Sequence, residues 1–140
     1  MKKIWIMIFA ALLLFMVSVP LVNNYSARKV ATELKELPLP ENTTYIEHIS
    51  KAGKLCGNGN GMQYLGGILI KSELSLEELD TYYSKYNKEY VVEKQFAQKI
   101  GFVEHTELAF ETELSGTGYY FIYLWGEGIE PFSYIDIRGH

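Results

Sequence analysis

The chain has one cysteine, Cys56, in 140 residues, so no internal disulfide can brace it and the fold must stand on its core. Its three histidines, His48, His105 and His140, show no metal-ligand spacing and have no cysteine partner set, which argues against a zinc site. Basic charge is scarce past the amino terminus. Setting Lys2 and Lys3 aside leaves eleven Lys/Arg against seventeen Asp/Glu, a net of −6. From Ile100 onward, seven acidic residues face only Arg138. Nucleic-acid phosphates demand the opposite sign, and an anionic lipid surface would repel this part of the chain too, apart from the basic residues beside the membrane.

Long apolar sequence, by contrast, is abundant at the amino-terminal end. Ile4–Val22, "IWIMIFAALLLFMVSVPLV", is apolar and uncharged, interrupted only by Ser18 and Pro20. Nineteen such residues rising ~1.5 Å each give roughly 28 Å, close to the ~30 Å hydrocarbon layer of a bilayer. A cleaved signal peptide would share the basic start and the apolar run, but its cleavage site needs small residues. Ala27 suits the last position while Tyr25, two places earlier, is too large; Val17-Ser18-Val19 is no better. The expectation is an uncleaved single-pass anchor in a cell membrane, with a secreted, signal-cleaved protein as the alternative. Lys2 and Lys3 on one side and Arg28, Lys29 and Lys35 on the other nearly balance the positive-inside bias. A signal-like start ordinarily exports the chain beyond it, which favours an extracytoplasmic domain.

The chain divides into residues 1–23 as anchor or signal segment, 24–42 as a short amphipathic helix with a proline spacer, and 43–140 as the domain. Ala27, Val30, Leu34 and Leu37 recur at spacings of three and four and predict a helix over Tyr25–Leu37. Pro38 and Pro40 end it and read as a stiff spacer. Strands are expected at 44–50 and 63–71, with Gly66-Gly67 marking a bulge or a close backbone approach. Ser75-Leu76-Glu77-Glu78 is a capping box opening a helix over 75–87. A third strand is expected at 90–96. Residues 107–114 alternate and, across Ser115–Gly118, predict a hairpin with 119–125, "YYFIYLW". Ile135 and Ile137 add a short last strand. The order indicates an α+β fold, an N-terminal transmembrane helix plus a small, mainly antiparallel sheet packed with one helix.

The stretch "GNGNG", residues 57–61, looks like a phosphate loop. However, its third glycine comes one residue early for a dinucleotide fingerprint, no Gly-Lys-Ser/Thr comes after it, and the next element is a strand rather than a helix. Asn-Gly dipeptides make it a turn between the first two strands. Cys56 and His48 would lie about 25 Å apart along an extended strand, too far for a thiol–imidazole pair. Glu107, Glu111 and Glu113 invite comparison with glycosidase carboxylates, but alternation on one strand is also how a solvated face looks. A symmetric hairpin register sends Tyr119, Phe121, Tyr123 and Trp125 to the core. A slip by one residue would instead set Tyr119, Tyr123 and Trp125 beside the carboxylates as a sugar-stacking platform, so these three are the candidate ligand-binding residues.

The combination "LPLPENT…GNGNGMQYLGGILIKSELSLEELDTYY" resembles small uncharacterised membrane-anchored proteins of Gram-positive bacteria. The resemblance implies a location in the cell envelope and brings no activity and no site residues. No catalytic set, metal site or cofactor motif is predicted. The expected partners are the membrane, through Ile4–Val22, and another cell-envelope protein or a glycan, but no nucleic acid. The functional expectation is a non-enzymatic, extracytoplasmic binding or assembly module, with a cell-wall glycan binder as the alternative.

Overall fold

The structure, a computed structural model, describes residues 1–127 and 132–140. Its first element, α1, is a single helix from Lys2 to Glu36. At ~1.5 Å per residue its 35 residues reach roughly 52 Å. Residues 1–17 are exposed and mostly apolar, whereas Val19, Asn23, Ala27, Ala31 and Leu34 are buried against the rest of the chain. The membrane-type segment and the amphipathic helix expected at 25–37 are therefore one continuous rod. Pro20 lies inside it without ending it. The turn at Pro38–Pro40 joins α1 to β1 and is pinned to the domain, since the Tyr82 hydroxyl donates to the Pro38 carbonyl at 2.8 Å. It is a connection inside the fold.

Strands β1 (Thr43–Gly53), β2 (Gln63–Ser72), β3 (Val91–Lys94) and β4 (Tyr119–Glu127) form an antiparallel sheet in the order β1-β2-β4-β3. Helix α2, Leu76–Ser84, begins at the expected capping box, with Ser75 accepting from the Glu78 amide and Glu78 accepting from the Ser75 amide. Such a box contributes about 1 kcal/mol. The fold is thus α+β, with the long apolar helix, a four-stranded antiparallel sheet and a second helix.

Strand alternation produces two cores. On one face of the sheet, Ile68 and Ile70 of β2 and Tyr120 and Ile122 of β4 pack against Leu34 of α1 and Leu79 and Tyr83 of α2. On the other, Leu65, Leu69, Tyr119, Phe121 and Tyr123 are covered by Ile100, Val103, Leu108 and Phe110 from the long β3–β4 connection. Both sides of β2 are buried, which is why it reads as an unbroken apolar run.

That connection corrects the expected hairpin. Leu108 and Phe110 do point inward while Glu107, Ala109 and Glu111 face solvent, so the alternation was real. The segment nevertheless forms no strand with β4, whose two edges are taken by β2 and β3. It lies across the sheet instead, bridged to the chain at Lys99–Ala109 and held by the Glu47 carboxylate, which accepts from the Glu111 and Thr112 amides at 3.1 and 2.9 Å. The last strand expected at Ile135 and Ile137 is likewise a turn leading into a short 3-10 helix at Ile137–Gly139.

Candidate functional site

The GNGNG segment joins β1 to β2, and its polar groups are engaged by the chain itself. Gln63 Oε1 accepts from the Leu55 and Cys56 amides at 2.7 and 2.8 Å. Glu104 accepts from the Gly57 amide at 3.0 Å, and His105 Nε2 donates to the Gly57 carbonyl at 2.6 Å. The Gly61 amide donates to the Gly139 carbonyl at 2.8 Å. Gly57 and Gly61 take positive φ of 68° and 115°, the conformation that glycine supplies at least cost. A carboxylate of the same chain therefore occupies an amide that an anion would need.

The other sequence candidates are dispersed. His48 Nδ1 lies 2.7 Å from the Tyr45 hydroxyl, while Cys56 packs beside Gln63. Glu107, Glu111 and Glu113 are all exposed, and none lines a described cleft. Among the described residues no three His, Cys, Asp or Glu side chains gather as a metal site. Tyr119 and Tyr123 are buried, each 7% exposed, and Trp125 is half-buried against the same core. Tyr123 is stacked between Phe102 and Phe121, with ring centroids 5.0 and 4.8 Å away. Its hydroxyl donates to Glu93, and burial pushes its pKa above the ordinary tyrosine value. Both faces of that ring are covered by Phe102 and Phe121, so Tyr123 is packed in the core, placed there by the pairing of β4 with β2 and β3 rather than by the expected hairpin.

Two places among the described residues bear on binding. The larger, about 610 Å³, is a cleft at the end of the sheet opposite the entry of α1. Asn42, Lys71, Glu73, Lys94, Phe96 and Thr117 line it. Lys71 Nζ lies 5.0 Å from the Tyr119 ring centroid, and Phe96 is 80% exposed beside it. Two ammonium groups, amides and one open aromatic ring suit recognition of a polar or anionic partner.

The second is where α1 enters the sheet, and sequence reading did not anticipate it. Asn23, fully buried, donates to Asp136 Oδ2 at 2.8 Å and accepts from the Tyr64 hydroxyl at 2.7 Å. Arg138 grips Asp136 in two parallel bonds of 2.9 and 2.7 Å, and also donates to Asn24 Oδ1 and to the Pro20 carbonyl. The Arg138 guanidinium foremost, with the Asn23 amide, holds the Asp136 carboxyl down at about 2. This network clamps the carboxyl-terminal segment onto α1. The one sequence hint was Arg138, the only base in an acidic tail, two residues from Asp136.

Comparison with family models, with curated proteins and with solved structures gave no match.

Proposed function

We propose that the chain is a single-pass membrane protein whose sheet domain lies outside the cytoplasm and serves as a binding or assembly module, offering the cleft at the far end of the sheet to a cell-envelope partner. The observation that carries this reading is the continuity of α1. The helix that is long and apolar enough to cross a bilayer runs directly into the domain core. Cleavage after Ala27 would strip Val19 and Asn23 out of buried positions and cut a helix in mid-packing, which favours retention of the segment. The dispersal of His48, Cys56 and the three glutamates supports binding over turnover.

Cys56, the single thiol and half-exposed, is a built-in reporter of topology. A membrane-impermeant maleimide is expected to label it in intact cells, in protein that stays with the membrane through a carbonate wash. Labelling only after lysis would place the domain on the other side, and release by carbonate would contradict an integral anchor. A photo-crosslinker replacing Phe96 should then give a discrete adduct that the same group at exposed Asp80 does not. Identical patterns from both positions would argue against a binding cleft.

A further inference from the structure

The length of free helix does not match the thickness of a bilayer. Apolar side chains begin at Ile4, but the domain already meets α1 at Phe15, whose ring lies 5.7 Å from that of Phe132. Residues 4–17, the exposed part of the apolar run, give only about 21 Å at ~1.5 Å per residue, against a hydrocarbon layer of ~30 Å. The remaining thickness falls beside Met16, Val19 and Pro20, where Ile135 and Ile137 share a largely apolar groove of about 420 Å³ with the helix. The same turn points Tyr134, Ile135 and Ile137 outward, 70, 56 and 84% exposed. An aromatic next to two aliphatic side chains is the composition of an interfacial anchor. Its charges are ready for that environment, since Asp136 and Arg138 are paired and Arg138 also bonds the Pro20 carbonyl.

Just above lies a polar pocket of about 210 Å³ lined by Asn24, Arg28, Ser50, Lys51 and Arg138. Asn24 and Arg28 stand roughly 3 and 9 Å beyond Val22 along the helix, and the headgroup layer is roughly 5–8 Å deep. The side chains of Arg28 and Lys51 have no ion-pair or hydrogen-bond partner among the described residues. In a domain that is acidic overall, two unpaired cations, Arg28 and Lys51, gather at its base beside the Asp136–Arg138 pair.

We propose that this base is a lipid seat. The Tyr134–Ile137 turn enters the boundary between headgroups and acyl chains, and Arg28 and Lys51 in the pocket above it take the phosphodiester of an anionic phospholipid. The inference rests on the single-pass reading, and the test separates the two. Full-length protein carrying Cys56→Ser and a nitroxide on Ile137→Cys is reconstituted in nanodiscs of equal phosphatidylcholine and phosphatidylglycerol. The label is expected to be reached by oxygen and shielded from a water-soluble nickel chelate. Lipid retained by the protein on release from the disc should be enriched in phosphatidylglycerol, falling about fivefold per cation lost in Arg28→Gln and Lys51→Gln. Nickel access at Ile137 in inserted protein would overturn the seat, as would unchanged lipid selection in the Gln variants. Displacement of the lipid by glycerol phosphate would overturn the choice of a lipid over a free anion. Chain recovered outside the discs would overturn the single-pass reading and the seat with it.

Discussion

Gly66→Ala should cost roughly 3 kcal/mol or more, because α1 lies directly on the backbone of β2 at this point. A Cβ on Gly66 would stand 2.6 Å from the Ala27 carbonyl oxygen, 2.7 Å from Val30 Cβ and 2.8 Å from the Ala31 amide nitrogen. Two of these are backbone atoms, so no side-chain rotation relieves the clash and the helix must lift away from the sheet. Overpacking of this kind usually costs ~1–3 kcal/mol even when side chains can adjust. Lifting α1 would also loosen Ala31 and Leu34, both fully buried. Gly59→Ala is the control, since nothing lies within 4 Å of its Cβ position, and it should stay within about 0.5 kcal/mol of the parent. Thermal unfolding of the full chain in mild detergent compares the two. Equal melting temperatures for the glycine variants would mean that α1 is not seated on β2.

Asn23→Leu should destabilise the protein by about 3 kcal/mol, even though it puts an apolar side chain into a fully buried position. It removes a donor from Asp136 and from the Phe132 carbonyl, and an acceptor from the Tyr64 hydroxyl. The desolvated carboxylate dominates the loss. The same network sets an acid response. The folded Asp136 pKa of about 2 lies below its ordinary 3.8, chiefly through the Arg138 guanidinium. Its stabilisation, roughly 2 kcal/mol, is therefore complete above about pH 4 and is lost as pH falls toward 2. Asn23→Leu weakens one of the bonds that lower this pKa, so acid unfolding should begin at higher pH in the variant. Circular dichroism against pH measures both, and superimposable acid transitions would count against the clamp.

Much of this architecture was legible from local chemistry. The capping box at Ser75 told where α2 begins, and the strand expected at 63–71 is β2, Gln63–Ser72. Gly66-Gly67 signalled close approach and serves it on both faces: α1 lies over Gly66, while a Cβ on Gly67 would stand 2.6 Å from the Ile122 carbonyl oxygen. What escaped depends on partners distant in sequence. Alternation at 107–114 said which side chains point inward but not what they cover, and a segment lying across a sheet shows the same pattern as a strand within one. The boundary drawn after residue 23 falls among Pro20, Asn23 and Asn24, whose local preferences oppose a helix interior. The structure overrides them by giving the Asn23 amide a carboxylate and a phenol more than forty residues away, and by meeting the Pro20 carbonyl with Arg138. The placement of Tyr119, Tyr123 and Trp125 was tied to a hairpin with residues 107–114 that does not form, and the pairing of β4 with β2 and β3 decides it instead.

The continuity of α1 from its exposed apolar half into the core is tested most directly by hydrogen exchange of the full chain in nanodiscs, read amide by amide from residue 5 to residue 34. One unbroken rod requires slow exchange throughout, including the amides on both sides of Pro20. A fast-exchanging window between Val19 and Ser26, with slow exchange above and below it, would mean two helices joined by a hinge.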